Sequence, residues 1–128
     1  MNKNVQFERE KQHNIQAANK DMHFKELSKD WFLETFKYKY SYNFTWLGRP
    51  IIQYPQDIIA LQEIIWKVKP DIIIETGIAH GGSLIFHASI LEMIGGDGKV
   101  LGIDIDIREH NKIEIERHKM YKRIIMIE

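Results

Sequence analysis

The 128-residue sequence has no cysteine, no net charge and no long apolar run. Without cysteine there can be no disulfide framework, no thiolate metal site and no cysteine nucleophile. Eighteen basic residues balance eighteen acidic ones, so no overall field draws the chain to nucleic acid or anionic lipid. No uninterrupted apolar stretch approaches the ~18 residues a membrane helix needs, and Met1 to Glu8 lack the apolar core of a secretory signal. Internal repeats and low-complexity tracts are missing too. These absences lead us to expect a cytoplasmic protein with neither nucleic acid nor membrane as partner. With 44% hydrophobic and 28% charged residues, the chain has enough apolar material for one domain with a real core.

What is present is concentrated in Pro70-Asp71-Ile72-Ile73-Ile74-Glu75-Thr76-Gly77-Ile78-Ala79-His80-Gly81-Gly82-Ser83. Three consecutive isoleucines between Pro-Asp and an acidic, glycine-rich turn predict a strand buried on both faces, as inside a parallel sheet. Gly77, Gly81 and Gly82 permit a sharp turn and remove side chains where a ligand could approach the backbone. Ser83 is suited to cap a helix carrying Leu84, Ile85, Ala88, Ile90, Leu91 and Ile94 at helical spacing. Strand, glycine loop and helix start make the first unit of a nucleotide-binding α/β fold.

The flanking segments extend that unit. Residues 1 to about 20 are polar, weakly patterned and expected to fray. From Asp21 onward, Phe24, Leu27, Trp31 and Phe36 form an apolar stripe expected to be a packing face. Aromatics at 38, 40, 42, 44 and 46 alternate with small or polar residues, which predicts a short strand or extended arm. Gly48-Arg49-Pro50 punctuates the chain, with Arg49 either solvated in a loop or reading an anionic substrate. Pro55 opens an apolar helix that Pro70 stops. A second strand is expected over Lys99 to Asp106, a third helix around Arg108 to Met120 and a third strand over Arg123 to Glu128. Right-handed crossovers then give a parallel sheet of strand order 3-2-1. Residues 1–50 are expected to form a helical and aromatic extension, and residues 51–128 the α/β part.

An acid at the end of the second strand can accept hydrogen bonds from ribose hydroxyls, and Asp104 falls near the spacing of a dinucleotide fingerprint. The loop itself is neither GxGxxG nor a phosphate-binding GxxxxGK[ST]. Glu75 argues against a pyrophosphate and for a ligand carrying positive charge. S-adenosylmethionine has the matching parts: a ribose, an ammonium group and a carboxylate. A dinucleotide-dependent oxidoreductase shares the ribose acid but not the glycine spacing.

Glu75-Thr76-Gly77-Ile78-Ala79-His80-Gly81-Gly82-Ser83 resembles the S-adenosylmethionine loop of catechol O-methyltransferase-like enzymes. Trp46 through Asp57, Gln62-Glu63 and Lys69 through Leu84 are similar to the cephalosporin hydroxylase family, which is related to rhamnosyl O-methyltransferases. The resemblance covers about Tyr42 to Glu128. It implies a Rossmann-like class I methyltransferase fold, S-adenosylmethionine as donor, and a sugar or small-metabolite hydroxyl as acceptor. Carried over by position, Gly77, Ala79 and Gly81 belong to the donor loop, Ser83 holds the donor carboxylate, Glu75 shapes the ammonium site and Asp104 takes the ribose. The plainer roles of turn glycine, strand cap and helix cap stand beside these. His80 is expected on the loop surface, and His87, His110 and His118, which lack metal-ligand spacing, on helix surfaces. No HxD or HxE pair suggests an iron oxygenase.

The same resemblance places a magnesium site and much of the acceptor pocket beyond Glu128. The chain is therefore expected to hold a donor half-site, as a fragment or part of a longer enzyme, inactive alone and without an identifiable catalytic residue. A non-catalytic remnant or interaction module is the alternative. The open edge of the first strand is expected to pair with another copy or with the chain's own N-terminal segment.

Overall fold

The computed structural model describes residues 3–128. They fall into two compact units, one ending at Lys39 and the other running from Tyr40 to Glu128. In the first, helix α1 (Lys3–Lys20) is joined to helix α2 (Met22–Thr35) through Asp21, whose carboxylate accepts from the Phe24 N–H at 3.0 Å and caps α2. The weakly patterned N-terminal stretch is thus helical from Lys3 onward, and Met1 and Asn2 lie outside the described residues. The stripe on α2 does not serve as a packing face. Phe24, Leu27, Trp31 and Phe36 are 44–58% exposed, and α1, which carries only the scattered large apolar residues Val5, Phe7 and Ile15, buries none of its residues either.

The second unit opens with a 3-10 turn at Tyr40–Tyr42, then strand β1 (Phe44–Trp46) and strand β2 (Arg49–Ile51), paired antiparallel with Phe44 opposite Ile51. Leu47 and Gly48 between them both have positive φ, 46° and 88°, as a two-residue hairpin of this hand requires. The alternating aromatics therefore extend only from Phe44. Before it the chain coils, with Lys39 left-handed at φ 46°, and Tyr40 packs edge-on against Phe44.

Helix α3 (Pro55–Val68) starts on proline and ends at a left-handed Lys69. Strand β3 (Ile72–Thr76), helix α4 (Gly82–Ile94), strand β4 (Lys99–Ile103), helix α5 (Glu109–Glu116) and strand β5 (Ile124–Ile127) follow. The three strands are parallel, in the order β3-β4-β5, with Ile74, Leu101 and Ile125 in register. This is the Rossmann-like half-sheet the sequence predicts.

Helix α4 is the centre of the core. Leu84, Ile85, Phe86 and Ala88 are fully buried, each buried Leu or Ile contributing about 2 kcal/mol. The hairpin closes over the helix: Trp46 donates from Nε1 to Ser89 Oγ at 3.0 Å, and its ring meets Phe86 edge-on at 4.9 Å. At the far end of α4, the buried Arg123 donates to Glu92 and to the carbonyls of Gly96 and Gly98, fixing the glycine turn before β4. Lys122 and then Arg123 hold the Glu92 carboxyl below the usual carboxylate range.

Two further expectations need correction. Strand β3 is not buried on both faces: Ile73 packs against the core, whereas Ile72 and Ile74 are 52% and 60% exposed. Core packing lies on the side of Ile73, Val100 and Ile124, and the side carrying Ile72, Ile74, Ile125 and Ile127 has no cover among the described residues. β3 is also an edge strand. Ser83, in turn, does not cap α4. The cap position belongs to Gly81, in the left-handed region, and Ser83 lies within the first turn.

Candidate functional site

The turn from β3 into α4 is shaped by backbone bonds that its own residues cannot supply alone. Gly77 N–H donates to Ile103 O at 2.8 Å, carrying the β3–β4 ladder one step past Thr76. Gly81 N–H then donates to Ile78 O at 2.8 Å, closing a tight turn before the helix. Ala79 holds a left-handed φ of 45°. Its carbonyl accepts from Asn111 Nδ2 at 3.0 Å, and that of His80 accepts from Arg49 Nη2 at 2.7 Å and Nε at 3.1 Å. Arg49 also donates to Asn111 Oδ1 at 3.1 Å. It is thus not a solvated loop arginine: through Nε and Nη2 it braces the loop at the His80 carbonyl, as Asn111 does at that of Ala79, so neither carbonyl is left without a partner.

The glycines divide by what surrounds them. A Cβ on Gly82 would lie 2.1 Å from Pro50 O, and one on Gly81 would lie 2.3 Å from Ile115 Cδ1. These two are needed for α4 to fit beneath the hairpin and against α5. Gly77, at φ 85°, faces open space, with nothing within 4 Å of an added Cβ. Of the three it is the one whose backbone is left open to a ligand.

Two adjoining cavities flank the loop. One, of about 410 Å³, is lined by Glu75, Gly77, Ala79, Gly82, Ser83 and His87, together with Gln53 and Leu61. The other, of about 300 Å³, is lined by Ala79, His80, Asp104, Asp106, Arg108 and Asn111. Ala79 and His80 border both. Of the residues singled out in the sequence, Glu75, Gly77, Ala79 and Ser83 therefore share one cavity, Asp104 lies in the next, and Gly81 lines neither.

The two acids are held differently. Asp104 accepts the Ile78 N–H at 2.7 Å through Oδ2 and the Asp106 N–H at 3.3 Å through Oδ1. The Ile78 N–H, followed by that of Asp106, keeps its carboxyl below the usual carboxylate range. Each oxygen retains a lone pair for a further donor. Glu75 accepts the Ser83 hydroxyl on Oε1 in a short hydrogen bond. Its Oε2 lies 3.1 Å from His87 Nδ1, within ion-pair distance, and both buried atoms lack a hydrogen-bond partner.

His87 corrects the sequence reading. It was expected on a helix surface, but α4 is enclosed on nearly every side and leaves it only 8% exposed. A signal for it exists: Ser83 and His87 are four residues apart on one helix, so both can reach the same strand-end acid. Arg49 and Asn111 carried no such signal, since the carbonyls they brace lie more than thirty residues away. His118 lies beyond the end of α5, its Nε2 3.1 Å from Leu47 O.

The donor set fits a ligand with a ribose and an ammonium group. Glu75 Oε2 and Gln53 Oε1 are buried acceptors without hydrogen-bond partners, Gly77 gives open backbone, and Asp104 can accept from hydroxyls. Magnesium does not fit: among the described residues no group of three or more His, Asp or Glu could hold a metal ion. No described helix is long and apolar enough to cross a membrane.

Residues 38–128 match the model of a family described as Rhamnosyl O-methyltransferase/CmcI. A Rhamnosyl O-methyltransferase of Mycobacterium leprae (strain TN) is 35% identical over 65 residues, 51% of this chain and 28% of that protein. Namesakes from Mycobacterium tuberculosis (strain ATCC 25618 / H37Rv) and Mycobacterium bovis (strain BCG / Pasteur 1173P2) are 35% identical over 60 residues, 47% of this chain and 24% of theirs. The chain thus spans less than a third of the length of these relatives. A solved structure described as cmcI-N160 SAH superposes with a TM-score of 0.52 at 24% identity, over 66% of this chain and 42% of that one. That likeness is one of fold.

Proposed function

The chain belongs to the Rhamnosyl O-methyltransferase/CmcI family, and from that premise we propose that residues 40–128 form the donor-binding part of an S-adenosylmethionine-dependent O-methyltransferase. Its acceptor is a hydroxyl on a sugar, the class named for its mycobacterial relatives, or on another small metabolite, and its setting is the cytoplasm. The observation that carries this reading is the pairing of an open Gly77 backbone with acids at the ends of adjacent strands, Glu75 on β3 and Asp104 after β4.

The donor would supply an activated methyl group on a positively charged sulfur. This chain's residues bind and orient. Asp104 accepts from the ribose hydroxyls while the Ile78 N–H keeps it ionised. Glu75 places a carboxylate at the ammonium group, and Gly77 and Ala79 present backbone to the chain between them. Ser83 already donates its proton to Glu75, so holding the donor's carboxylate requires its hydroxyl to turn. No described residue is assigned as the base for the acceptor hydroxyl, and no step runs through a metal.

Calorimetric titration with S-adenosylmethionine and S-adenosylhomocysteine tests the proposal, with NAD as competing ligand. Saturable binding of both, weakened at least about tenfold in Asp104→Asn and unaffected by NAD, is expected. Binding of NAD in their place would overturn it.

A second reading, an interaction module keeping the fold, is favoured by the exposed Ile72, Ile74, Ile125 and Ile127 on one sheet face beside the β3 edge. A second copy of the chain is its proposed occupant. Sedimentation showing only monomer at tens of micromolar would reject it.

A further inference from the structure

Glu75 is the strongest unresolved feature of the larger cavity, because one carboxylate oxygen is satisfied and the other is not. Ser83 fixes Oε1. Oε2 is buried without a hydrogen bond, and the atom nearest to answering it is His87 Nδ1, 3.1 Å away and equally without a bond. Leaving such atoms unmatched is costly, of order 1–3 kcal/mol each, so their juxtaposition calls for an explanation beyond packing. In the same cavity Gln53 Oε1 is a third buried polar atom without a partner, and it too is an acceptor. The cavity therefore offers two oxygens that want N–H donors and one imidazole beside the carboxylate.

We infer that His87 is a positioning residue, holding the Glu75 carboxylate so that it and Gln53 receive the ammonium group of the methyl donor. The inference rests on the donor reading above and sharpens it to one end of the ligand. A carboxylate anchored at one oxygen can rotate about that anchor and turn its free oxygen away from a cation. With Nδ1 beside Oε2, that rotation is opposed. The ring itself is fixed by burial and by the neighbouring Phe86, 5.2 Å away centroid to centroid. His80 is the one other titratable side chain lining this cavity, and Gln53, Thr76 and Ser83 are its neutral polar ones. None of these hydrogen-bonds Oε2, and His87 Nδ1 is the nitrogen that lies within ion-pair distance of it.

The test compares two ligands that differ at the end in question. S-adenosylhomocysteine carries the ammonium and carboxylate, whereas 5′-methylthioadenosine keeps the nucleoside and sulfur and lacks both. Dissociation constants are measured for each on the whole chain and on His87→Asn and His87→Leu. The asparagine can place an N–H near the position of Nδ1, and leucine has nearly the same shape without a donor. His87→Leu should bind S-adenosylhomocysteine about tenfold or more weakly with 5′-methylthioadenosine within about twofold of the parent, and His87→Asn should recover most of the loss. If His87→Leu does not melt cooperatively, His87→Phe replaces it in the same comparison. Unchanged S-adenosylhomocysteine affinity, equal loss of both ligands, or no rescue by asparagine overturns the inference alone. Failure of the parent chain to bind S-adenosylhomocysteine overturns the donor reading and this inference with it.

Discussion

The Glu75 end and the Asp104 end of the loop solve one problem, keeping a carboxylate ready for a ligand, by opposite means. Glu75 sits in a pocket of side chains, touched by Ser83 and His87 and backed by the most buried helix of the molecule. Asp104 is held from the main chain, by the N–H groups of Ile78 and Asp106, on the rim of a smaller cavity. A side-chain cage depends on how α4 is seated. A backbone cradle depends on the path of the loop. The first is therefore sensitive to packing substitutions and the second to acid.

The hardest blow to this contrast is at Gly82, where α4 meets the hairpin. Gly82→Ala should destabilise the chain by about 3 kcal/mol in urea denaturation, because the new methyl must displace the Pro50 backbone. Gly77→Ala meets no neighbour and should cost only the strain of its left-handed backbone, about 1–2 kcal/mol. Next, Glu75→Ala leaves Ser83 and His87 without their acid and should cost about 2 kcal/mol by the same measurement. Asp104→Ala should lower the melting temperature less than Glu75→Ala does. Equal losses would erase the distinction between cage and cradle. Asn111→Ala removes the donor to the Ala79 carbonyl and the acceptor for Arg49, and should cost about 1 kcal/mol by the same measurement.

The smallest effect is that of pH. Asp104 and Glu92 both have carboxyls held below the usual range in the folded chain. The unfolded chain then binds more protons than the folded one below their ordinary values near 4, so this stability is present at neutral pH and is lost as pH falls through the folded values. The urea midpoint should fall between about pH 5 and about pH 3, with a shallower fall in Asp104→Asn and in Glu92→Gln. A parallel fall in the parent and both variants would assign the acid sensitivity elsewhere.

Much of the architecture was legible because it is written in local pattern. Pro55 opening α3, the isoleucine run of β3, the glycine turn after α4 and the parallel strand order all follow from spacing and punctuation within short windows. The exposed face of β3 was not, because an isoleucine run records what a strand can bury and not which of its faces is covered. The stripe on α2 misled for the same reason. Within the site, the strand-end acids and the loop were visible, whereas the braces from Arg49 and Asn111 depend on contacts that only the finished fold creates. His87 lay between these cases: its helical spacing from Ser83 was readable, its burial was not.

The Arg49 brace also sets an order of events. The β1–β2 hairpin closes across a two-residue turn, whereas its grip on the His80 carbonyl closes a loop of about thirty residues. Short-range closure is the faster and entropically easier of the two. The hairpin can therefore form early and wait for the loop, while the loop reaches its final path only once the hairpin has docked. In hydrogen-exchange terms, the amides of Ile78 and Gly81 should then open together with those of β1 and β2, and a loop better protected than the hairpin that clasps it would break this order.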